Sequence, residues 1–222
     1  MSPTRPRRYD LIVFDWDGTL YDSTALITRC IQRACKDLGV AVPNDRQASF
    51  VIGLGLIDAM RHAAPGLAEE RYPELARRYR HHYFNDVHEV TLFNGVPALL
   101  ELLKARHHRL AVATGKGRQG LDEALHLSGL RGCFDATRTA DETASKPHPQ
   151  MLLELMSELA VEPERTLMVG DTTHDLQLAI NAGAHGVAVT YGAHPHDDLR
   201  PLAPRHVAHS VAELQQWLLE HA

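Results

Sequence analysis

Short apolar runs alternate with amphipathic stretches along most of this chain. The first run, YDLIVFD at residues 9–15, is almost continuously apolar and ends in a carboxylate, as a strand buried on both faces does. Runs of the same kind follow at 109–114, 166–170 and 186–190, and a weaker run at 206–210 predicts an edge strand. The pattern therefore predicts buried parallel β-strands.

Apolar residues with helical spacing separate these runs. The predicted helices of this part of the chain cover residues 96–106, 118–128, 149–160, 174–182 and 211–220. Pro149 stands near the first turn of its helix, where the missing N–H costs little. Strands that alternate with helices through short connections are typical of an α/β fold with a doubly wound parallel sheet.

The segment between the first two strands breaks this rhythm, because it contains helix-like pieces and no convincing strand. Ser23 is suited to cap the first of these helices, and Gly39 is suited to end it. We therefore predict an all-helical insertion at residues 21–89. The core domain is then built from residues 1–20 and 90–222.

Composition limits the classes of function. The 222 residues carry a formal net charge of -5, which gives no reason to expect nucleic acid or an anionic membrane as partner. No apolar run approaches the roughly 20 residues that span a bilayer. The basic residues Arg5, Arg7 and Arg8 are not followed by the apolar segment of a secretory signal. Three cysteines without metal-ligand spacing indicate reduced thiols. We expect a cytoplasmic protein, monomeric or weakly dimeric.

Polar residues and glycines stand at the carboxyl ends of the predicted strands. They are Asp15, Asp17 and Gly18 after the first strand, Thr114, Gly115 and Lys116 at the second, Lys146 before the helix at 149–160, and Asp171 and Asp175 after the strand at 166–170. Ligands bind at this edge of an open α/β sheet, near the point where the strand order reverses. We therefore expect these groups to lie together.

Each of these segments also has an ordinary structural interpretation. The residues around Asp15 can form a turn, Lys146 can lie on the surface, and Asp171 can cap the helix that follows. The occurrence of all of them in order, each at a strand end or a helix start, favours one shared site. Two carboxylates as close as Asp15 and Asp17 also favour a bound cation, since like charges oppose each other's ionisation.

The four segments resemble the four motifs of the haloacid dehalogenase superfamily of phosphohydrolases. The matching residues are DWDGT at 15–19, Thr114 with Gly115, Lys146, and GDTTHD at 170–175. The helical insertion is similar to the α-helical cap of that family, and the resemblance extends from Tyr9 to about Val189. It looks most like the phosphoglycolate phosphatase and β-phosphoglucomutase branch, which implies a Rossmann-like core, Mg²⁺ and an aspartyl-phosphate intermediate.

The resemblance implies that Asp15 is the nucleophile, since a carboxylate can divide one difficult phosphoryl displacement into two easier ones. Both groups are anionic, so Mg²⁺ is expected between them, with oxygen ligands from Asp15, Asp171 and the main-chain carbonyl of Asp17. Asp17, directed by the bend at Gly18, is expected to protonate the leaving alkoxide and then deprotonate the attacking water.

The other motifs are expected to hold the phosphoryl group. The hydroxyl of Thr114 and the N–H of Gly115 bind its oxygens in this scheme, while Lys146 neutralises their charge. Asp175 is expected to act through water or to orient its neighbours. Many family members carry Asn in place of Gly115, and Lys116 or Arg118 is expected to compensate for the missing hydrogen bond.

Two features separate phosphate esters from other substrates of this family. Its carbon–halogen hydrolases lack an aspartate at the position of Asp17, because a departing halide needs no proton. Its phosphonate hydrolases rely on a cap lysine, whereas no lysine occurs between Lys36 and Lys104. A phosphate monoester is therefore the expected substrate.

The insertion is expected to close over the site and to select the substrate. Gly53 and Gly55 mark a bend that is either an ordinary turn between helices or a loop that reaches the phosphate ester. Arg61, which follows this bend, and Lys116 are predicted substrate contacts. A compact apolar loop with one cation suits a small phosphorylated acid or sugar better than a bulky nucleotide.

Three functions agree with these residues. The first is a Mg²⁺-dependent phosphatase that hydrolyses a small phosphorylated metabolite, as a phosphoglycolate phosphatase does. The second is a phosphosugar mutase similar to β-phosphoglucomutase, which needs a bisphosphate primer. The third is a non-catalytic module on the same fold, which normally loses a motif residue, whereas all four motifs are present here.

Overall fold

The computed structural model describes residues 8–222, and within them six parallel strands form one sheet. The strands are β1 (Leu11–Phe14), β2 (Arg109–Thr114), β3 (Ala136–Thr139), β4 (Thr166–Gly170), β5 (His185–Val189) and β6 (Val207–Ala208). Their order across the sheet is β3-β2-β1-β4-β5-β6, and each neighbouring pair is parallel. The predicted α/β fold with a doubly wound, Rossmann-like sheet is confirmed. Residues 1–7 of the predicted core lie outside the described residues.

The same residues contain ten α-helices. They are α1 (Thr24–Asp37), α2 (Asp45–Phe50), α3 (Leu56–Ala63), α4 (Tyr72–Asp86), α5 (Val96–Ala105), α6 (Arg118–Leu127), α7 (Gln150–Glu158), α8 (Thr173–Asn181), α9 (His196–Leu199) and α10 (Val211–His221). Short 3-10 helices lie at Glu69–Arg71, Val87–Glu89, Pro163–Arg165 and Arg200–Leu202. Over residues 8–222, no helix combines the length and the apolar character that crossing a membrane requires.

Helices cover both faces of the sheet, and alternate residues of β1 show how. Ile12 and Phe14 pack into an apolar cluster with buried residues of α5, α6 and α10. Leu11 and Val13 point to the other face and pack against α7 and α8. Because β1 is buried on both faces, its sequence is a continuous apolar run.

Strand β3 was not predicted from the pattern, and its sequence explains the omission. ATRT contains no apolar run, and Thr137 and Arg138 are only partly buried because β3 is an edge strand. The guanidinium of Arg138 pairs with Glu154 and Glu158 of α7, both at 2.7 Å. An edge strand whose polar residues find partners on a neighbouring helix carries little periodic signal.

Helices α1 to α4 make up the helical insertion, as we call residues 21–89, and they share an apolar core. Ile31, Met60 and Leu75 are fully buried in it. Helix α1 ends at Asp37, two residues before Gly39. The division into two domains at these boundaries stays a prediction.

The two chain connections between the insertion and the sheet run side by side. The N–H of Asp22 donates to the carbonyl of Thr91 at 2.9 Å, and the N–H of Phe93 donates to that of Leu20 at 3.0 Å. The insertion therefore begins directly beside the carboxyl end of β1, where the predicted site lies.

Candidate active site

The predicted site residues converge at the carboxyl edge of the sheet, where the strand order reverses between β1 and β4. These two strands pair directly, with Phe14 opposite Val169. Asp15 is the first residue after β1, and Asp171 is the first after β4. Ligands of open α/β sheets bind at such a point.

Asp15 is fully buried, and its two carboxylate oxygens differ in their partners. Oδ1 accepts the N–H of Trp16 at 2.7 Å and lies 2.8 Å from Nζ of Lys146. Oδ2 is also buried, and within residues 8–222 no donor bonds to it. Burial raises the pKa of Asp15 well above its usual value, although the charge of Lys146 opposes this shift. A buried oxygen without a partner indicates a binding position.

Lys146 lies between two carboxylates in the loop before α7. Its Nζ is 2.8 Å from Asp15 Oδ1 and donates to Asp175 Oδ1 at 2.6 Å. Burial lowers the pKa of Lys146, but the charges of Asp15 and Asp175 more than offset this effect, and the net pKa is raised. The lysine therefore remains a cation and neutralises part of the acidic cluster.

Asp171 and Asp175 are also fully buried, and main-chain and hydroxyl donors hold them in place. Asp171 accepts the hydroxyl of Thr19 at 2.8 Å and the N–H of Ala193 at 2.7 Å. Burial and the charge of Asp175 raise the pKa of Asp171 to about 7. Asp175 caps the start of α8, where its Oδ2 accepts the N–H of Thr172 at 3.0 Å and its hydroxyl at 2.7 Å.

The acidic cluster can hold a cation. One carboxylate oxygen from each of Asp15, Asp171 and Asp175 lies within 4.8 Å of the other two. Lys146 and Thr172 already occupy both oxygens of Asp175, whereas Oδ2 of Asp15 is unpaired in the described residues. These hard oxygen donors fit a divalent ion such as Mg²⁺ beside Asp15 and Asp171, with Asp175 in an orienting position.

The turn after β1 requires a glycine at position 18. Gly18 has a φ of +82°, and a Cβ atom there would lie 2.2 Å from Oδ2 of Asp171. The close approach of this turn to Asp171 therefore depends on the absence of a side chain.

Asp17 is held by two side chains on one side of the site. Its Oδ1 accepts the hydroxyl of Ser23 at 2.6 Å and lies 3.1 Å from Nζ of Lys116. Nζ of Lys116 in turn donates to the hydroxyl of Tyr83 at 2.9 Å and lies 4.5 Å from the centroid of that ring. Because Tyr83 belongs to α4, Lys116 connects Asp17 to the helical insertion.

Thr114 and Gly115 end β2 beside a loop of the insertion. The hydroxyl of Thr114 accepts the N–H of Lys116 at 3.2 Å. A Cβ atom on Gly115 would lie 2.4 Å from the carbonyl oxygen of Leu54 and 2.5 Å from that of Gly53. The backbone of the insertion therefore fills the space that an Asn side chain at position 115 would occupy.

The glycine bend of the insertion contacts two further loops of the site. The N–H of Gly55 donates to the hydroxyl of Ser145 at 2.7 Å. A Cβ atom on Gly53 would lie 3.2 Å from the hydroxyl oxygen of Thr172. The bend at Gly53 and Gly55 thus reaches the loops that carry Thr172 and Ser145, and its contact with a phosphate ester stays a prediction.

Two predicted cationic contacts are engaged elsewhere. Arg61 is exposed and pairs with Asp58 and Glu69 of the insertion. Arg118 pairs with Glu142 at 2.5 Å on the surface beside α6. Arg61, a predicted substrate contact, is therefore paired with carboxylates of the insertion. Arg118 does not take the place of the side chain missing at Gly115.

Several residues that contact the candidate site were not identified from the sequence. Thr19 lies within the first motif and could have been found there. Ser23 was interpreted as a helix cap, but its side chain makes no cap hydrogen bond and contacts Asp17 instead. Tyr83 and Ala193 reach the site from distant segments, for which the sequence offers no signal.

Comparison with known proteins supports this picture. The sequence model of the family described as haloacid dehalogenase-like hydrolase matches residues 12–189. A relative named "Probable phosphatase IndB" from Dickeya dadantii is 36% identical over 209 residues, which are 92% of this chain and 91% of that protein. A relative named "5'-nucleotidase" from Pseudomonas aeruginosa is 34% identical over 96% of this chain and 97% of its own.

Solved structures agree with the sequence relatives. The crystal structure of a predicted phosphoglycolate phosphatase from Haemophilus somnus superimposes with a TM-score of 0.84 at 26% identity. The match covers 94% of this chain and 97% of that one. The resemblance inferred from the four motifs is confirmed.

Proposed function

The chain belongs to the haloacid dehalogenase-like hydrolase family and is a phosphoric monoester hydrolase, and we propose that it acts with Mg²⁺ through an aspartyl-phosphate on Asp15. The observation that carries this proposal is the buried Oδ2 of Asp15, to which no donor bonds within residues 8–222. We propose Asp15, Asp171 and the main-chain carbonyl of Asp17 as the metal ligands. The ion supplies positive charge that lets an anionic phosphate approach an anionic carboxylate.

The first step forms a bond between Oδ2 of Asp15 and phosphorus and breaks the ester P–O bond. Lys146 keeps Oδ1 of Asp15 in place at 2.8 Å and offsets the charge of the cluster. The hydroxyl of Thr114 and the N–H of Gly115 stabilise charge on the transferring phosphoryl oxygens. Asp17 donates its proton to the departing alkoxide.

The second step returns Asp15 to its carboxylate form. Asp17, now deprotonated, accepts a proton from a water molecule as that water attacks phosphorus. The bond between phosphorus and Asp15 breaks, and inorganic phosphate leaves. Ser23 and Lys116 hold the Asp17 carboxylate in one orientation through both steps, at 2.6 and 3.1 Å.

The substrate is a phosphate ester of an organic alcohol in this proposal. Relatives named for a phosphatase and a 5'-nucleotidase, and a similar structure described as a phosphoglycolate phosphatase, support this class. Phosphoglycolate, sugar phosphates and nucleoside monophosphates are therefore the esters to compare.

A phosphate-release assay over these esters, with Mg²⁺ or with a chelator, tests the proposal. We expect Asp15→Asn and chelation each to abolish release, while Asp197→Asn, a change at a side chain that is 96% exposed, leaves it intact. Circular dichroism confirms that each variant is folded. Full release by folded Asp15→Asn would overturn the mechanism, and formation of an isomeric sugar phosphate in place of phosphate would identify a mutase.

A further inference from the structure

A cavity of about 570 Å³ continues from the proposed catalytic residues into the helical insertion. Asp17 and Lys116 border it on the side of the sheet. Residues of α1, α3, α4 and the glycine bend line it on the side of the insertion, and residues at the start of α6 and in the loop after β3 complete it. Sites for organic ligands commonly measure roughly 300–1,000 Å³. The two carbons of a glycolate leaving group occupy only a small part of this space. The residues that line the cavity therefore indicate which larger leaving groups it can bind.

The walls that the insertion contributes are mainly apolar. Ile27 and Ile31 of α1, Ile52 of the glycine bend, and Ile57 and Met60 of α3 line the cavity. Removal of apolar ligand surface from water onto such a wall is favourable. The wall therefore selects for a leaving group with apolar surface of its own.

Several polar groups on the lining already have partners. Asp141 accepts the hydroxyl of Thr139 at 2.6 Å, and Ser145 accepts the N–H of Gly55 at 2.7 Å. Lys116 is engaged by Asp17. Arg80 and Gln119 also line the cavity and are its remaining polar side chains of this kind. A leaving group with many hydroxyls would lose more hydrogen bonds to water than these two side chains can replace, which opposes its binding.

One side of the cavity is aromatic. The rings of Tyr79 and Tyr83 lie 5.8 Å apart at 27°, and those of Tyr83 and Phe84 lie 5.9 Å apart at 81°. Phe84 is 40% exposed although it lines the cavity. Lys116 and Tyr79 cover the ring of Tyr83, so the exposed ring of Phe84 offers the face against which a planar apolar group stacks.

We propose that the leaving group of the natural substrate is a bulky, largely apolar alcohol with a planar ring, rather than a small acid or a polyhydroxylated sugar. This inference rests on the proposed phosphatase activity and specifies its substrate class. The phosphate end lies at Asp15, Thr114 and Gly115, and the ring lies between the isoleucines of the insertion and the aromatic side of the cavity.

Primary alkyl esters test this inference, because their leaving groups have similar chemical reactivity and differ mainly in size and polarity. We expect kcat/KM for 2-phenylethyl phosphate to exceed that for ethyl phosphate, phosphoglycolate and glucose 6-phosphate by about tenfold or more. Equal values, or a preference for phosphoglycolate or glucose 6-phosphate with Asp15-dependent release, would overturn the inference and leave the proposed function standing.

Binding of phosphonates, which are not hydrolysed, examines the cavity without turnover. With Mg²⁺ present, calorimetry should give 2-phenylethylphosphonate a dissociation constant about tenfold lower than that of ethylphosphonate. If no ester is hydrolysed, the proposed phosphatase function fails. The two phosphonate dissociation constants then test the preference for an apolar ring by themselves. Equal dissociation constants would overturn it.

Two variants test whether the cavity causes the preference for a leaving group with a ring. Ile57 is half-buried on its wall, so Ile57→Asn adds a polar group there, and we expect it to narrow the ratio of 2-phenylethyl to ethyl phosphate by about fivefold. Leu153→Asn, at a leucine that is 48% exposed on α7, is the matched control and should keep the ratio. If folded Ile57→Asn keeps the wild-type ratio of kcat/KM for 2-phenylethyl phosphate to that for ethyl phosphate, the proposed position of the ring is wrong.

Discussion

Replacement of Gly115 by alanine tests the contact between the helical insertion and the end of β2. The added Cβ would lie 2.4 Å from the carbonyl oxygen of Leu54 and 2.5 Å from that of Gly53, whereas ordinary contacts begin at 3.4 Å. Both obstacles are main-chain atoms, so the glycine bend must retreat by about 1 Å. A displacement of about 1 Å near a reacting group can reduce the rate by roughly 10²-fold. We expect kcat/KM to fall by between about 10-fold and 100-fold.

The measurement is steady-state phosphate release from one alkyl ester, with a thermal melt of each variant. Overpacking of this kind costs about 1–3 kcal/mol, which leaves the fold intact. Gly66→Ala, in the same insertion but with no atom within 4 Å of the added Cβ, is the matched control and should retain full activity. Unchanged kcat/KM in Gly115→Ala would refute the claim that this loop contact supports the site. Gly115→Asn should be at least as impaired.

Three further predictions concern the charged groups of the site. Lys116→Met should lower kcat about tenfold for alkyl esters and less for p-nitrophenyl phosphate, whose leaving group needs little protonation; an equal loss for both esters would show only a structural role. Lys146→Met removes one partner of a buried ion pair and should destabilise the metal-free protein by about 3–5 kcal/mol in denaturant unfolding, with partial rescue by Mg²⁺; unchanged stability would contradict this. Because Asp171 has a pKa of about 7 without metal, it binds a proton below that pH. Mg²⁺ must displace this proton, so its affinity, measured by calorimetry, should fall by up to about tenfold per pH unit below pH 7 and level off above pH 8.

Much of the core could be predicted because its strands are buried on both faces. Leu11 to Phe14 form an apolar run with no alternation, and similar buried runs lie within β4, in β2 after Arg109 and at the end of β5. Strand β3 differs because Thr137 and Arg138 are satisfied by polar partners at the sheet edge, so no hydrophobic period marks it. The other strands could be predicted because they are buried, and not because of their strand propensity.

The structure brings predicted site residues together where the chemistry is concentrated in short motifs. Asp15, Lys146 and Asp171 each stand at the end or start of an element, and the parallel sheet brings such positions together. The partners of Lys116 could not be predicted, since Tyr83 reaches it from another helix through tertiary packing. The sequence did not explain why Gly115 stands where many family members carry Asn. The reason is tertiary, because the backbone of the insertion packs directly against this glycine. Arg61 was predicted as a substrate contact because it follows the glycine bend in the sequence. Its side chain instead pairs with Asp58 and Glu69.

The covalent intermediate is the most direct test of the account. Wild-type protein with Mg²⁺ and a ³²P-labelled alkyl ester should, on rapid acid quench, carry label on the peptide that contains Asp15. The label should disappear in a chase with unlabelled ester and should be absent from Asp15→Asn. Label on another residue, or full turnover by a folded Asp15→Asn variant, would contradict the assignment of Asp15 as the nucleophile.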